Sequence, residues 1–146
     1  KALCSIRNHI RDNPRTDVLY GKVRYKDLIS NTSYIRIPNI NHMKYRMSLF
    51  HSSMFVRKSA YDLIGLYSEE YDFAMDSEWC HRAIIGGVKF RYVDKVVSCM
   101  SLGGRSDVNY TRSLIEYRES ALNHKVASWT VASLSFIILV ILVIEK

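Results

Sequence analysis

Cysteine is scarce in this chain of 146 residues: Cys4, Cys80 and Cys99 are an odd count with no metal-type spacing. A disulfide framework is therefore not expected, a reducing compartment is favoured, and the three read as small buried residues. There is no HExxH, no CxxC and no paired Cys/His module, so His9, His42, His51, His81 and His124 make no zinc site by spacing. Cys80 and His81 are adjacent, and neighbours on a helix point about 100° apart, which excludes them as a nucleophile and base pair. Walker-loop and GxGxxG spacings are missing, as are internal repeats, low-complexity tracts and any recognisable RNA- or DNA-binding signature. Proline occurs only as Pro14 and Pro38, and each closes an element: a first helix, then a short strand.

What is present reads as one globular domain's length of chain. Apolar residues are 48% and charged residues 24%, which argues against general disorder, and ten tyrosines favour packed and binding surfaces. Twenty-one Lys and Arg against fourteen Asp and Glu leave a net charge of +7. That surplus suits nucleic acid, phosphorylated small molecules or an acidic membrane surface without choosing among them. The chain opens at Lys1 with neither an initiator Met nor a signal pattern and goes straight into helical periodicity, so it reads as cut from something longer.

Leu3, Ile6 and Ile10 recur at helical spacing, with Arg7, Asn8 and Arg11 on the other side. "DVLYGKVRY" reads as a strand in which Gly21 marks a bulge or a close backbone approach. Ile35 and Ile37 predict a short edge strand, and Asn39 to Met47 a polar, basic loop. "HSSMFVRKSAYDLIGLY" reads as a strand end and a short helix, with Ser59 as N-cap and Gly65 as the stop. From Asp76, the residues Trp79, Cys80, Ala83 and Ile84 form one apolar face while Glu78, His81 and Arg82 look elsewhere, and Gly86 and Gly87 end the helix. "KFRYVDKVVSCMSL" returns to alternation, as a second strand or hairpin arm; a Gly-Gly turn then leads to a helix holding Leu114, Tyr117 and Ala121. The fold class is α/β, a mixed sheet with flanking helices, and so few strands leave edges that want partners. Residues 1–125 form this body. In 126–146, the uncharged run from Val126 to Ile144 would extend about 28 Å as a helix, close to a bilayer's ~30 Å core, which reads as a hydrophobic helix that is transmembrane, membrane-associated, buried or oligomer-forming, with a core strand as the alternative for "FIILVILVI".

Asp76 has two compatible readings. As a helix N-cap it accepts backbone N–H groups and complements the helix dipole. As a general base at the mouth of a cleft it takes a proton from an attacking hydroxyl. "SLGGRSD" is a Gly-rich turn whose N–H groups are able to cradle a phosphate.

The order of these pieces, "DVLYGKVRY", then "HSSMFVRKSAYDLIGLYSEEYDFAMDSEWCHRAIIGGVKFRYVDKVV", then "SLGGRSD", resembles the second half of family 2 glycosyltransferases, nucleotide-sugar enzymes of polysaccharide assembly with the GT-A fold. The likeness covers roughly residues 1–120 and is best over 51–106. It implies a partial GT-A fold, with Asp76 as catalytic base and with His51, Gly104 and Ser106 lining the substrate cleft. Arg82, on the same helix, is a further binding candidate with two readings: it holds the Asp76 carboxylate in position, or it is an exposed helix charge. It also implies a divalent cation, Mg or Mn, whose Asp-x-Asp element and neighbouring nucleotide-binding strands have no counterpart in this sequence; Lys22 stands where an acidic residue often follows the Tyr-Gly pair. The expected partners are a nucleotide-sugar donor and a saccharide or lipid-linked acceptor, at the cytoplasmic face of a membrane and without nucleic acid. Without the donor and metal half, this piece is not expected to turn over alone. The rival reading is a non-catalytic, membrane-tethered interaction module left by a degenerate transferase.

Overall fold

The computed structural model of the protein describes residues 2–103 and 109–127. Helix α1 (Ala2–Asp12) leads into strand β1 (Val18–Lys26), which carries the sheet. Strands β2 (Ser33–Arg36) and β3 (Met54–Val56) both pair antiparallel with β1, one with each half of it: Tyr25 faces Tyr34, and Leu19 faces Phe55. Strand β4 (Phe90–Ser101) runs parallel to β1 along its whole length. It is thus a parallel partner reached by a crossover, where the alternation alone left a hairpin arm open. The crossover is helix α3 (Met75–Ile85), preceded by the short helix α2 (Lys58–Ile64) and followed, after β4, by helix α4 (Tyr110–Asn123). The result is an α/β layer with a mixed sheet and flanking helices.

Each face of the sheet buries its own cluster. Ile6 and Ile10 of α1 cover Leu19, Val93 and Phe55. On the other face Val18 and Tyr20 pack against Ala60 of α2, Trp79, Cys80 and Ala83 of α3, and Tyr117 of α4. Gly21 is a close approach, as its position in the strand implies. A Cβ there would lie 2.8 Å from the Lys95 carbonyl oxygen, and the β1–β4 register slips beside it, with Val93 opposite Gly21 but Val96 opposite Lys22. Gly65 ends α2 at φ 89°, where its N–H reaches the Tyr61 carbonyl.

Four expectations change. The N-cap of α2 is Arg57, two residues ahead of Ser59, and it makes no side-chain cap bond. The 39–47 loop is more than polar: it holds a short 3-10 turn (Ile40–His42), and Met43 and the nearby Leu49 are fully buried in the main core. Glu78 and His81, off the predicted apolar face of α3, are buried as well, because α4 lies against that side of the helix. Of the cysteines, Cys80 is buried but Cys99 is exposed on β4; the Cys4 side chain is outside the described ones. Among the described residues no helix is long and apolar enough to cross a membrane, and nearly all of the apolar run 126–144 falls outside them.

Candidate active site

His51 and Asp76, twenty-five positions apart, are in contact: His51 Nδ1 lies 3.1 Å from Asp76 Oδ2. His51 opens a 3-10 turn (His51–Ser53) that follows Phe50. The next residue, Ser52, donates its hydroxyl to Met100 Sδ at 2.9 Å and stands 3.5 Å from Ser98 Oγ, so the turn is seated on the C-terminal half of β4. Ser53 is fully buried and donates both its N–H and its hydroxyl to the Phe50 carbonyl. A buried, doubly bonded serine fixes the turn, and the turn fixes where the His51 ring stands.

Asp76 enters from the first turn of α3, though not as its N-cap. The cap position is Ala74, and Asp76 is the second helical residue. Its Oδ1 accepts the Ser77 N–H at 2.7 Å and the Ser77 hydroxyl at 3.3 Å. One first-turn N–H is thereby satisfied, and the favourable end of the helix dipole remains at the carboxylate. The approach to the helix is held by a residue from α4: Glu116 Oε2 accepts the N–H groups of Phe73 at 2.7 Å and Ala74 at 3.0 Å. Arg112, one turn earlier on α4, donates to Asp72 at 2.7 Å, stands 3.6 Å from Glu116 Oε1 and covers the Phe73 ring. Nothing in the local sequence of 69–76 announces this clamp, since its acidic member comes from forty residues downstream.

The pair is graded in exposure. The Asp76 side chain is 15% exposed and the His51 side chain 62%. A substrate arriving from solvent meets the imidazole edge first, with the carboxylate behind it. When His51 Nδ1 donates to Asp76, the lone pair of the neutral ring sits on Nε2. That same hydrogen bond raises the His51 pKa above its ordinary value, against the opposing effect of burial. Nearby, Tyr67 stands edge-on to Trp79, and its phenol lies 3.3 Å from the Tyr61 hydroxyl. Burial, the Tyr61 bond and the Asp76 charge all push the Tyr67 pKa up, so the phenol stays neutral.

Arg82 does not hold the Asp76 carboxylate. Its guanidinium forks onto Glu78, with Nε to Oε1 at 2.6 Å and Nη2 to Oε2 at 2.8 Å, and donates to the Ile64 and Leu66 carbonyls. It ties α3 to the end of α2. Glu78, 3% exposed, also stands 2.9 Å from His124 Nε2, and the bidentate Arg82 guanidinium explains how a carboxylate sits in the core. Lys22 pairs with Asp94, which also accepts the Tyr92 hydroxyl, so its charge is used within the sheet. Gly104 and Ser106 lie outside the described residues.

Other features of the fold stand apart from this pair. A cavity of about 410 Å³ beneath α1, lined by Ile10, Leu19, Phe55 and Arg57 among others, includes neither His51 nor Asp76. Among the described residues no group of three or more His, Cys, Asp or Glu side chains is placed to hold a metal ion. His51 and Asp76 offer two donors that are turned on each other, so they do not form a ligand set for the divalent cation that the resemblance implies.

No protein-family model matches the sequence, and no curated protein matches it either. The geometry of the His51–Asp76 pair therefore carries the functional argument.

Proposed function

We propose that the chain is the acceptor-side part of an inverting GT-A type glycosyltransferase of family 2, which moves a sugar from a nucleotide-sugar donor to a saccharide or lipid-linked acceptor. The single observation that carries this reading is the contact between His51 and Asp76, two residues that the motif order nominated separately. The mixed α/β sheet and the seat of His51 on the C-terminal half of a parallel strand pair are compatible with it.

In the proposed reaction an acceptor hydroxyl gives its proton to Asp76 while its oxygen forms a bond to the anomeric carbon of the donor. The bond from that carbon to the diphosphate oxygen breaks, and its electron pair leaves with the nucleoside diphosphate. Ser77 fixes one carboxylate oxygen and His51 the other, so the base is held in one orientation before the acceptor arrives. The Asp76 carboxylate stands in the first turn of α3, at the positive end of the helix dipole. The chain's +7 charge suits an anionic donor or a lipid-pyrophosphate acceptor at the cytoplasmic face of a membrane.

The exposure gradient favours a second version, in which His51 Nε2 takes the proton and Asp76 orients the ring and balances its charge. The two differ in their pH profile. If His51 is the acceptor, kcat/KM rises with pH through the elevated His51 pKa; if Asp76 acts directly, that limb is absent. The activity itself is tested by following acceptor-dependent release of nucleoside diphosphate from a panel of nucleotide sugars by the full-length protein that carries this chain. Release from one donor class is expected. A folded protein that releases none across the panel, with saccharide and lipid-linked acceptors supplied, contradicts the reading and leaves the non-catalytic module.

A further inference from the structure

The β1–β2 hairpin presents an unusual tip. Leu28 is 70% exposed and Ile29 is 99% exposed, side by side in the connection between the strands. They do not sit there through lack of order. Asp27 Oδ1 accepts the Ile29 N–H at 2.9 Å and Asp27 Oδ2 accepts the Ser30 hydroxyl at 2.7 Å, while the Asp27 N–H reaches the Thr32 carbonyl at 2.9 Å. These bonds hold the turn closed and hold its two aliphatic side chains out in water, at a cost that a merely connecting turn of polar residues would avoid.

The strands behind the tip carry positive charge on an open face. Arg24 stands opposite Ile35 on β2 and Cys99 on β4, and Lys26 opposite Ser33 and Ser101; all six are exposed. The other face of the same strands is the one that packs, through Val23, Tyr25, Phe50 and Met100. Neither Arg24 nor Lys26 has a carboxylate partner among the described residues, and the one acidic group in the turn, Asp27, is used in closing it.

We propose that this hairpin docks on an anionic lipid surface, with Leu28 and Ile29 entering the headgroup and acyl boundary and Arg24 and Lys26 meeting the lipid phosphates. Two aliphatic side chains bury about 200 Å² between them, well short of the ~800 Å² that each partner gives to a stable protein interface. A fluid surface needs no matching concavity, and apolar insertion backed by basic residues is the combination by which peripheral segments bind acidic bilayers. The inference stands on the hairpin alone. It requires neither the transferase chemistry nor the 126–144 run.

The test reads depth at the hairpin itself, so that attachment through another segment does not mimic it. A nitroxide is placed at Ile29→Cys in the full chain with Cys4→Ser and Cys99→Ser, and a control label at Glu70→Cys on an exposed loop. On mixed phosphatidylglycerol–phosphatidylcholine vesicles the label at 29 gains accessibility to oxygen and loses accessibility to a water-soluble nickel chelate, while the control label stays aqueous. Adding Arg24→Gln and Lys26→Gln, or using phosphatidylcholine alone, removes the effect. The proposal is overturned if the label at 29 stays in water on vesicles the protein has bound, as it would for a hairpin that serves a protein partner. It is overturned equally if the label enters neutral vesicles as well, or if the protein binds no vesicle.

Discussion

Replacing Glu116 by alanine tests how the turn that carries Asp76 is held. The carboxylate sits on α4, 12% exposed, and accepts the N–H groups of Phe73 and Ala74 through one oxygen. Ala74 is fully buried, so its N–H finds no ready replacement in water once the acceptor is gone. Hydrogen bonds to a charged acceptor contribute roughly 1.5–3 kcal/mol each. Sharing one oxygen, and letting some water reach Phe73, brings the expected loss for the pair to about 2 kcal/mol. With a urea m-value of about 2 kcal/mol per M, the unfolding midpoint falls by about 1 M at unchanged m. Glu116→Gln keeps a carbonyl acceptor at the same reach and loses only its charge, so about half of that loss is expected. The readout at the site is the His51 ring: because Asp76 follows two residues after Ala74, loosening the entry to α3 broadens or shifts its proton resonances in the alanine variant. An alanine variant within about 0.5 kcal/mol of the parent, with His51 unchanged, refutes the clamp.

Further consequences follow from other residues. Gly21→Ala drives a Cβ to 2.8 Å from both the Lys95 carbonyl and a Val97 methyl, and thermal unfolding is expected to show a loss of about 1–3 kcal/mol; a neutral result means that the strands part there at no cost. His51 titrates by NMR above 6.5 in the parent and falls back in Asp76→Asn, since the carboxylate is the first cause of its elevation. The sign follows: the stabilisation from that pair is fully present below pH 6.5 and is lost as pH rises through the folded pKa. His81 behaves oppositely. Burial lowers its pKa from 6.5 to about 4, so its contribution is intact above 6.5 and is lost as pH falls towards 4. The loss amounts to about 2–3 kcal/mol by the end of that window, and His81→Gln flattens the slope; an unaltered acid limb in that variant contradicts the assignment.

The parts of this fold that follow from local chemistry were legible in the sequence, and the parts that depend on distant packing were not. Ile6 and Ile10 mark the inward face of α1, Gly21 the strand irregularity, Gly65 a helix stop, and Pro38 the end of an edge strand. Each is a short-range signal. Glu78 and His81 fell outside the apolar face of α3, and nothing within that helix reveals what reaches them from α4 and its end: His81 lies 2.8 Å from Ser120 Oγ and packs edge-on to the Tyr117 ring, and Glu78 meets His124. Met43 looked like part of a basic loop, yet its carbonyl accepts the Tyr117 hydroxyl and its side chain fills the core. At the site, Asp76 was visible as a carboxylate at a helix start and His51 entered only through the resemblance, while their contact, the Ser77 bonds and the Glu116 clamp are tertiary. Arg82 shows the reverse failure: an arginine two turns along the same helix looked placed to serve Asp76, and Glu78, at i−4, takes it instead.

The account's central claim is that the acceptor proton leaves to the His51–Asp76 pair. It is tested most directly by the single-turnover rate of sugar transfer in Asp76→Asn of the full-length protein. Asparagine keeps the size and the hydrogen-bonding shape but removes the negative charge, so folding and donor binding persist while the rate falls by about 10²–10⁴-fold. A variant that folds, binds donor and transfers at the parent rate contradicts the claim.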